Sequence, residues 1–87
     1  PRRRHRSRQR ILMRPVKRSF SIRGHRTSIS LEAAFWAALK EAAAEDRVPL
    51  AQLIATIDEQ RGGAGLSSAV RVWLLDRLKG RAAARPE

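Results

Sequence analysis

Arg26-Thr27-Ser28-Ile29-Ser30-Leu31 runs directly into Glu32-Ala33-Ala34-Phe35-Trp36. The first six residues alternate polar and apolar. Thr27, Ile29 and Leu31 fall on one side of an extended chain, and Arg26, Ser28 and Ser30 on the other. A lone strand of this length leaves its backbone donors and acceptors without partners. The sequence offers few other strands, so the economical partner is the same strand of a second copy. That pairing makes an antiparallel two-stranded ribbon with an apolar underside and a wet face of Arg and Ser. A ribbon of this size fits the major groove of duplex DNA, where Arg reaches guanine and Ser donates or accepts at base edges.

Upstream, residues 16–24 read as extended. Phe20 and Ile22 alternate with Ser19, Ser21 and Arg23 until Gly24-His25 interrupts. The apolar positions are even-numbered before the break and odd-numbered after it. A phase flip at a glycine predicts a bulge or bend between two short strand pieces, with His25 as a turn residue. Residues 1–12 carry Arg2, Arg3, Arg4, Arg6, Arg8 and Arg10 and show no periodicity. They read as a disordered basic arm, either a phosphate-binding tail or a solvated run. Met13 is the sole methionine, and the sequence changes character after it. It is read as a natural start, with the arm an upstream extension.

Downstream, alanines with Leu31, Phe35, Leu39 and Ala42 or Ala43 at helical spacing predict helix A over about 32–46. Ser30 is its expected cap, and Trp36 lies beside the apolar stripe. Asp46-Arg47-Val48-Pro49 is a turn. Pro49 suits the first position of helix B, about 49–60, where Leu50, Leu53, Ile54 and Ile57 follow the i, i+3, i+4, i+7 pattern. Arg61-Gly62-Gly63-Ala64-Gly65 is a loop. It lacks the Gly-Lys-Ser/Thr ending of a phosphate-binding loop and follows a helix, which excludes that reading. Helix C is expected over about 67–79, capped by Ser67 or Ser68 and stopped by Gly80. Val70, Trp73, Leu74, Leu75 and Leu78 give it a wide apolar arc, as on a helix pressed between two surfaces in an intertwined dimer.

The 87 residues carry a net charge of +11. Without the six arginines of the arm, thirteen basic residues still face eight acidic ones, a balance of +5. Such a chain seeks a polyanion. Roughly 65 residues remain to form a core, which rarely stabilises a monomer by more than about 3–5 kcal/mol, and oligomerisation is a common remedy. With no cysteine, disulfides and thiolate metal sites are excluded. The two histidines, His5 and His25, form no metal-ligand spacing and no Ser/His/acid set, so neither metal nor cofactor nor enzymatic activity is expected. No apolar run spans a bilayer or makes a secretory signal, which sets a cytoplasmic protein without a membrane partner as the default.

The order strand, helix, turn, helix resembles the ribbon-helix-helix repressors of the MetJ/Arc type. Val16 to Lys79 is more closely similar to a bacterial subfamily with an extra helix. The matching stretches are Val16-Lys17-Arg18-Ser19, the distinctive Gly24-His25-Arg26-Thr27-Ser28-Ile29-Ser30-Leu31-Glu32, Phe35-Trp36, Ile54-Ala55-Thr56-Ile57-Asp58 and Leu66-Ser67-Ser68-Ala69-Val70-Arg71-Val72. The resemblance implies a mainly α homodimer whose ribbon lies in the major groove, with Arg26, Ser28 and Ser30 as base readers. It also implies phosphate held by the first amides of helix B, here those of Leu50 and Ala51, beside Arg47. The subfamily commonly has Ser where Pro49 stands, so one hydroxyl and one amide of that anchor are missing here. Arg2, Arg3, Arg4, Arg14, Lys17, Arg18, Arg23 and His25 complete the expected phosphate contacts.

These readings predict a basic arm over 1–15, a ribbon-helix-helix domain with an added helix over 16–79, and a flexible tail over 80–87. The expected function is sequence-specific binding of double-stranded DNA by a homodimeric transcriptional regulator. Two alternatives stand beside it: an antitoxin or adaptor that captures an unknown protein through helix C, and non-specific nucleic-acid binding through the arm. A helix-turn-helix made of helices B and C ranks last, because Arg61–Gly65 is longer than the usual turn.

Overall fold

The computed structural model describes residues 14–84. Two strands, β1 (Pro15–Ile22) and β2 (His25–Glu32), are followed by three helices, α1 (Ala33–Glu45), α2 (Leu50–Gln60) and α3 (Leu66–Ala84).

The strands pair with each other, antiparallel, from Pro15↔Glu32 to Ile22↔His25. The ribbon expected from two chains is built here within one. The phase flip at Gly24 is neither a bulge nor a bend. It is what a hairpin with a two-residue loop requires, because even-numbered residues of β1 then face odd-numbered residues of β2. Arg23 and Gly24 form that loop with φ of 52° and 80°. Positive φ at both central residues is the signature of the turn whose twist matches paired strands. His25 is therefore the first residue of β2 and not a turn residue.

One face of the hairpin carries Phe20, Ile22, Thr27, Ile29 and Leu31. Ile22, Ile29 and Leu31 are buried and Phe20 is half-buried. β1 packs against α2, and β2 against α1 and α3. From the helices the core receives Trp36, Leu39, Ala42 and Ala43, then Leu53, Ile54 and Ile57, then Leu66, Val70 and Leu74. The inward face of α1 is thus turned one residue from the expected stripe. Trp36 is buried and Phe35 only partly so. The reason is polar as well as apolar: the indole Nε1 donates to the Val16 carbonyl at 2.8 Å, tying α1 to β1.

Three helix ends differ from expectation. Glu32, not Ser30, is the N-cap of α1, without a side-chain cap bond. Pro49 is the N-cap of α2, where its carbonyl accepts from the amides of Gln52 and Leu53. α3 does not stop at Gly80 but runs on to Ala84. A glycine inside a helix costs only about 1 kcal/mol relative to alanine. The alanines that follow favour the helix, and Arg81 pairs with Glu45 of α1 at 3.0 Å, holding the last turns down. The expected arm and tail beyond residues 14 and 84 lie outside the described residues.

Candidate nucleic-acid interface

Opposite its buried face, the hairpin presents Lys17, Ser19 and Ser21 from β1 and Arg26, Ser28 and Ser30 from β2. Five of the six are exposed and Ser30 is half-buried. The register sets them in three rows: Lys17 beside Ser30, Ser19 beside Ser28, and Ser21 beside Arg26. The hydroxyls of Ser19 and Ser28 are 3.3 Å apart, within hydrogen-bond reach. No large apolar side chain interrupts this face.

The one carboxylate of the two strands is Glu32, at the end of the ribbon remote from the turn. Arg71 of α3 holds it, with Nη2 at 3.1 Å and Nε at 3.2 Å from Oε1. Its own backbone amide lowers the Glu32 carboxyl below the ordinary range, partial desolvation opposes this, and Arg71 lowers it further. The negative charge closest to the basic face is thereby paired off.

α3 also reaches the edge of β2. The Ser67 hydroxyl accepts the Ser30 N–H at 3.1 Å, so Ser67 is a strand partner and not a helix cap. Arg71 Nη2 donates to the Ser30 carbonyl at 3.3 Å. Backbone groups along a strand alternate in direction, so those of Ser30, Ser28 and Arg26 point away from β1, and at Ser30 they are occupied by α3. A second strand added along this edge would first have to displace Ser67 and Arg71 there.

The expected phosphate contacts divide. Arg14 and Lys17 are exposed at the strand start and on the outer face. Arg18 is exposed but belongs to the other face, with its guanidinium 5.1 Å from the Trp36 ring centroid. Arg23 sits in the turn and pairs with Glu59 of α2. His25 is exposed opposite Ile22. Arg47, exposed with φ of 57°, lies in the turn after Asp46, the C-cap of α1, and precedes the first amides of α2 at Leu50 and Ala51. Glu59, at the hairpin turn, is about 13 Å along α2 from Leu50, so these amides lie away from the turn. Arg2, Arg3 and Arg4 lie outside the described residues. Sequence reasoning gave Ser67 no role beyond a cap and Arg71 none, because their partners are some forty residues away. Nor did it place Ser19 and Ser21 on the basic face, which needed the hairpin register.

The ribbon-helix-helix domain family matches residues 15–78, from the first strand residue into α3. The chain belongs to this family, whose members generally bind DNA, regulate transcription and act as dimers, and which is not an enzyme family. Neither the curated proteins nor the solved structures contain a match. Among the described residues, no helix is long and apolar enough to cross a membrane.

Proposed function

We propose that this protein is a sequence-specific double-stranded DNA-binding transcriptional regulator that seats its β1–β2 ribbon in the major groove. The observation that carries this reading is the outer face of the hairpin: two basic side chains and four hydroxyls, exposed or half-exposed, on a rigid two-stranded support backed by the core. Such a ribbon fits the groove, which is about 12 Å wide and displays a distinct donor and acceptor pattern for each base pair. Arg26 takes guanine by its two-pronged guanidinium, and Ser28 and Ser30 contact neighbouring edges. Arg14, Arg47 and the amides of Leu50 and Ala51 are assigned to phosphate, as are the arginines of the arm.

The working form is a homodimer. Val72, Leu75 and Leu78 of α3 are each more than half exposed. They border a groove with Ala34, Phe35 and Ala38 of α1. An uncovered apolar face on so small a domain supports association of two copies.

Selection of bound sites from random duplex DNA, at stated salt, tests the reading. A defined enriched motif is the expected result. Equal binding to all duplexes, or preference for single-stranded RNA, would overturn it.

A further inference from the structure

The hairpin register carries the reading surface beyond β2. We infer that β1 reads bases as well, through Ser19 and Ser21 with Lys17 beside them, and that Ser19 and Ser28 act as one recognition unit. This rests on the major-groove reading above and deepens it.

Residues directly opposite on paired strands have Cβ atoms about 4.5–5.5 Å apart. Any seating that brings Arg26 and Ser28 to base edges therefore brings Ser21 and Ser19 to the same depth. The rows repeat every two residues, and from Lys17–Ser30 to Ser21–Arg26 the strands advance about 13 Å. Base pairs are about 3.4 Å apart, so the face spans roughly four of them. Each row meets its own part of the site, one residue from each strand.

The middle row has a chemistry of its own. A hydroxyl has one proton to donate. With the oxygens 3.3 Å apart, one of Ser19 and Ser28 gives its proton to the other. The giver then only accepts from a base, while the receiver is free to donate. The pair so presents an acceptor and a donor side by side. Adenine is the one base that shows the complement on its own edge in the major groove, an N6 amine next to the N7 acceptor; in a G·C pair the same pattern needs both bases, cytosine N4 and guanine O6. The structure thus assigns the middle row to an A·T pair. The outer row, Ser21 beside Arg26, places a small hydroxyl next to the guanidinium at the neighbouring base edges.

The test is site selection followed by affinity measurement on the selected duplex and on single-base variants of it, using the full chain with Ser19→Ala, Ser28→Ala, the double variant, Ser21→Ala and Arg26→Ala. Circular dichroism and thermal melting verify that each variant keeps the fold, and Ser19→Thr supplies a version that retains the hydroxyl. Ser19→Ala and Ser28→Ala are expected to relax the same A·T position, each by about fivefold or more in discrimination. The double variant should be no worse than either single one, as residues acting as one unit are non-additive. Ser19→Thr should keep the preference, and Ser21→Ala should relax the position that Arg26→Ala relaxes or its neighbour. If Arg26→Ala alters the motif while Ser19→Ala and Ser21→Ala leave it intact, the β1 inference fails and the proposed function stands. If Ser19→Ala and Ser28→Ala act on different positions, or additively, the paired unit is wrong. If the wild-type chain enriches no motif, both readings fall together.

Discussion

Arg26 is the residue on which specificity is expected to turn. It is exposed on the outer face, and no ion pair claims it among the described residues, whereas Arg23, three positions away, is taken up by Glu59. Arg26→Ala should cost about 1–3 kcal/mol on the preferred site and relax one position of it. Fluorescence anisotropy on matched and mismatched duplexes would measure this, and equal loss on every sequence would reassign Arg26 to phosphate. Gly24 governs the same face indirectly. Its φ of 80° is a conformation that disfavours side chains, yet a Cβ there would meet nothing within 4 Å. Gly24→Ala therefore carries backbone strain alone, about 1–2 kcal/mol, and urea denaturation should show that loss. An unchanged midpoint would mean that the turn relaxes to another geometry.

The hairpin as an element is held from both sides. β1 is pinned through its Val16 carbonyl by Trp36, and β2 through Ser30 by Ser67 and Arg71. Trp36→Phe keeps an aromatic ring near Phe20 and removes the bond to Val16. The expected loss is about 1 kcal/mol, the usual net worth of a hydrogen bond, with faster amide exchange in β1 than in the helices. Uniformly faster exchange would mean that Trp36 matters to the whole core instead. The alternation of 26–31 is legible in the residues alone, and so are three helices and their order. The partner of β2 is not. Residues 16–24 read as a strand piece joined to the next by a bulge or bend and not as its hairpin partner, because Val16, Lys17 and Arg18 blur the alternation and Arg23 is an uncommon first residue for a two-residue turn. Gly80 misleads for a related reason. Local propensity marks it as a stop, but the contact from Arg81 to Glu45 decides the matter from outside the helix.

At the scale of the molecule, the far end of α3 is fastened to the end of α1 by charge. Arg77 contacts Asp46 at 2.9 Å and Glu45 at 3.0 Å, and Arg81 adds a second contact to Glu45. Hydrogen bonds from Arg77 chiefly hold both carboxyls below their ordinary range, against some desolvation. Carboxyls whose folded values are depressed contribute stability above their unfolded values, about 4, and lose it as pH falls through the folded values. The melting temperature should accordingly drop below about pH 4, and Arg77→Ala should flatten that drop. Equal slopes in the two proteins would remove this cluster from the account. The apolar side of α3 belongs to the same scale. Leu75→Glu puts a charge on the exposed Val72–Leu78 face and should weaken the proposed dimer by about tenfold or more, a contact worth about 1.4 kcal/mol. Sedimentation velocity would show it, and an undisturbed dimer would move the interface elsewhere.

By itself, the sequence determined the family, the basic character, the helical order and the outward placement of Arg26, Ser28 and Ser30. The family rests on the particular stretches between Val16 and Lys79 that match it; the rest follows from side-chain periodicity and composition, which are local properties. Only the tertiary structure decided that the ribbon closes within one chain. It also decided that β1 adds Lys17, Ser19 and Ser21 to the same face, and that α3 covers the edge of β2 at Ser30. Strand register and contacts between residues forty positions apart leave no periodic trace along the chain, because they are set by where the whole core places each backbone.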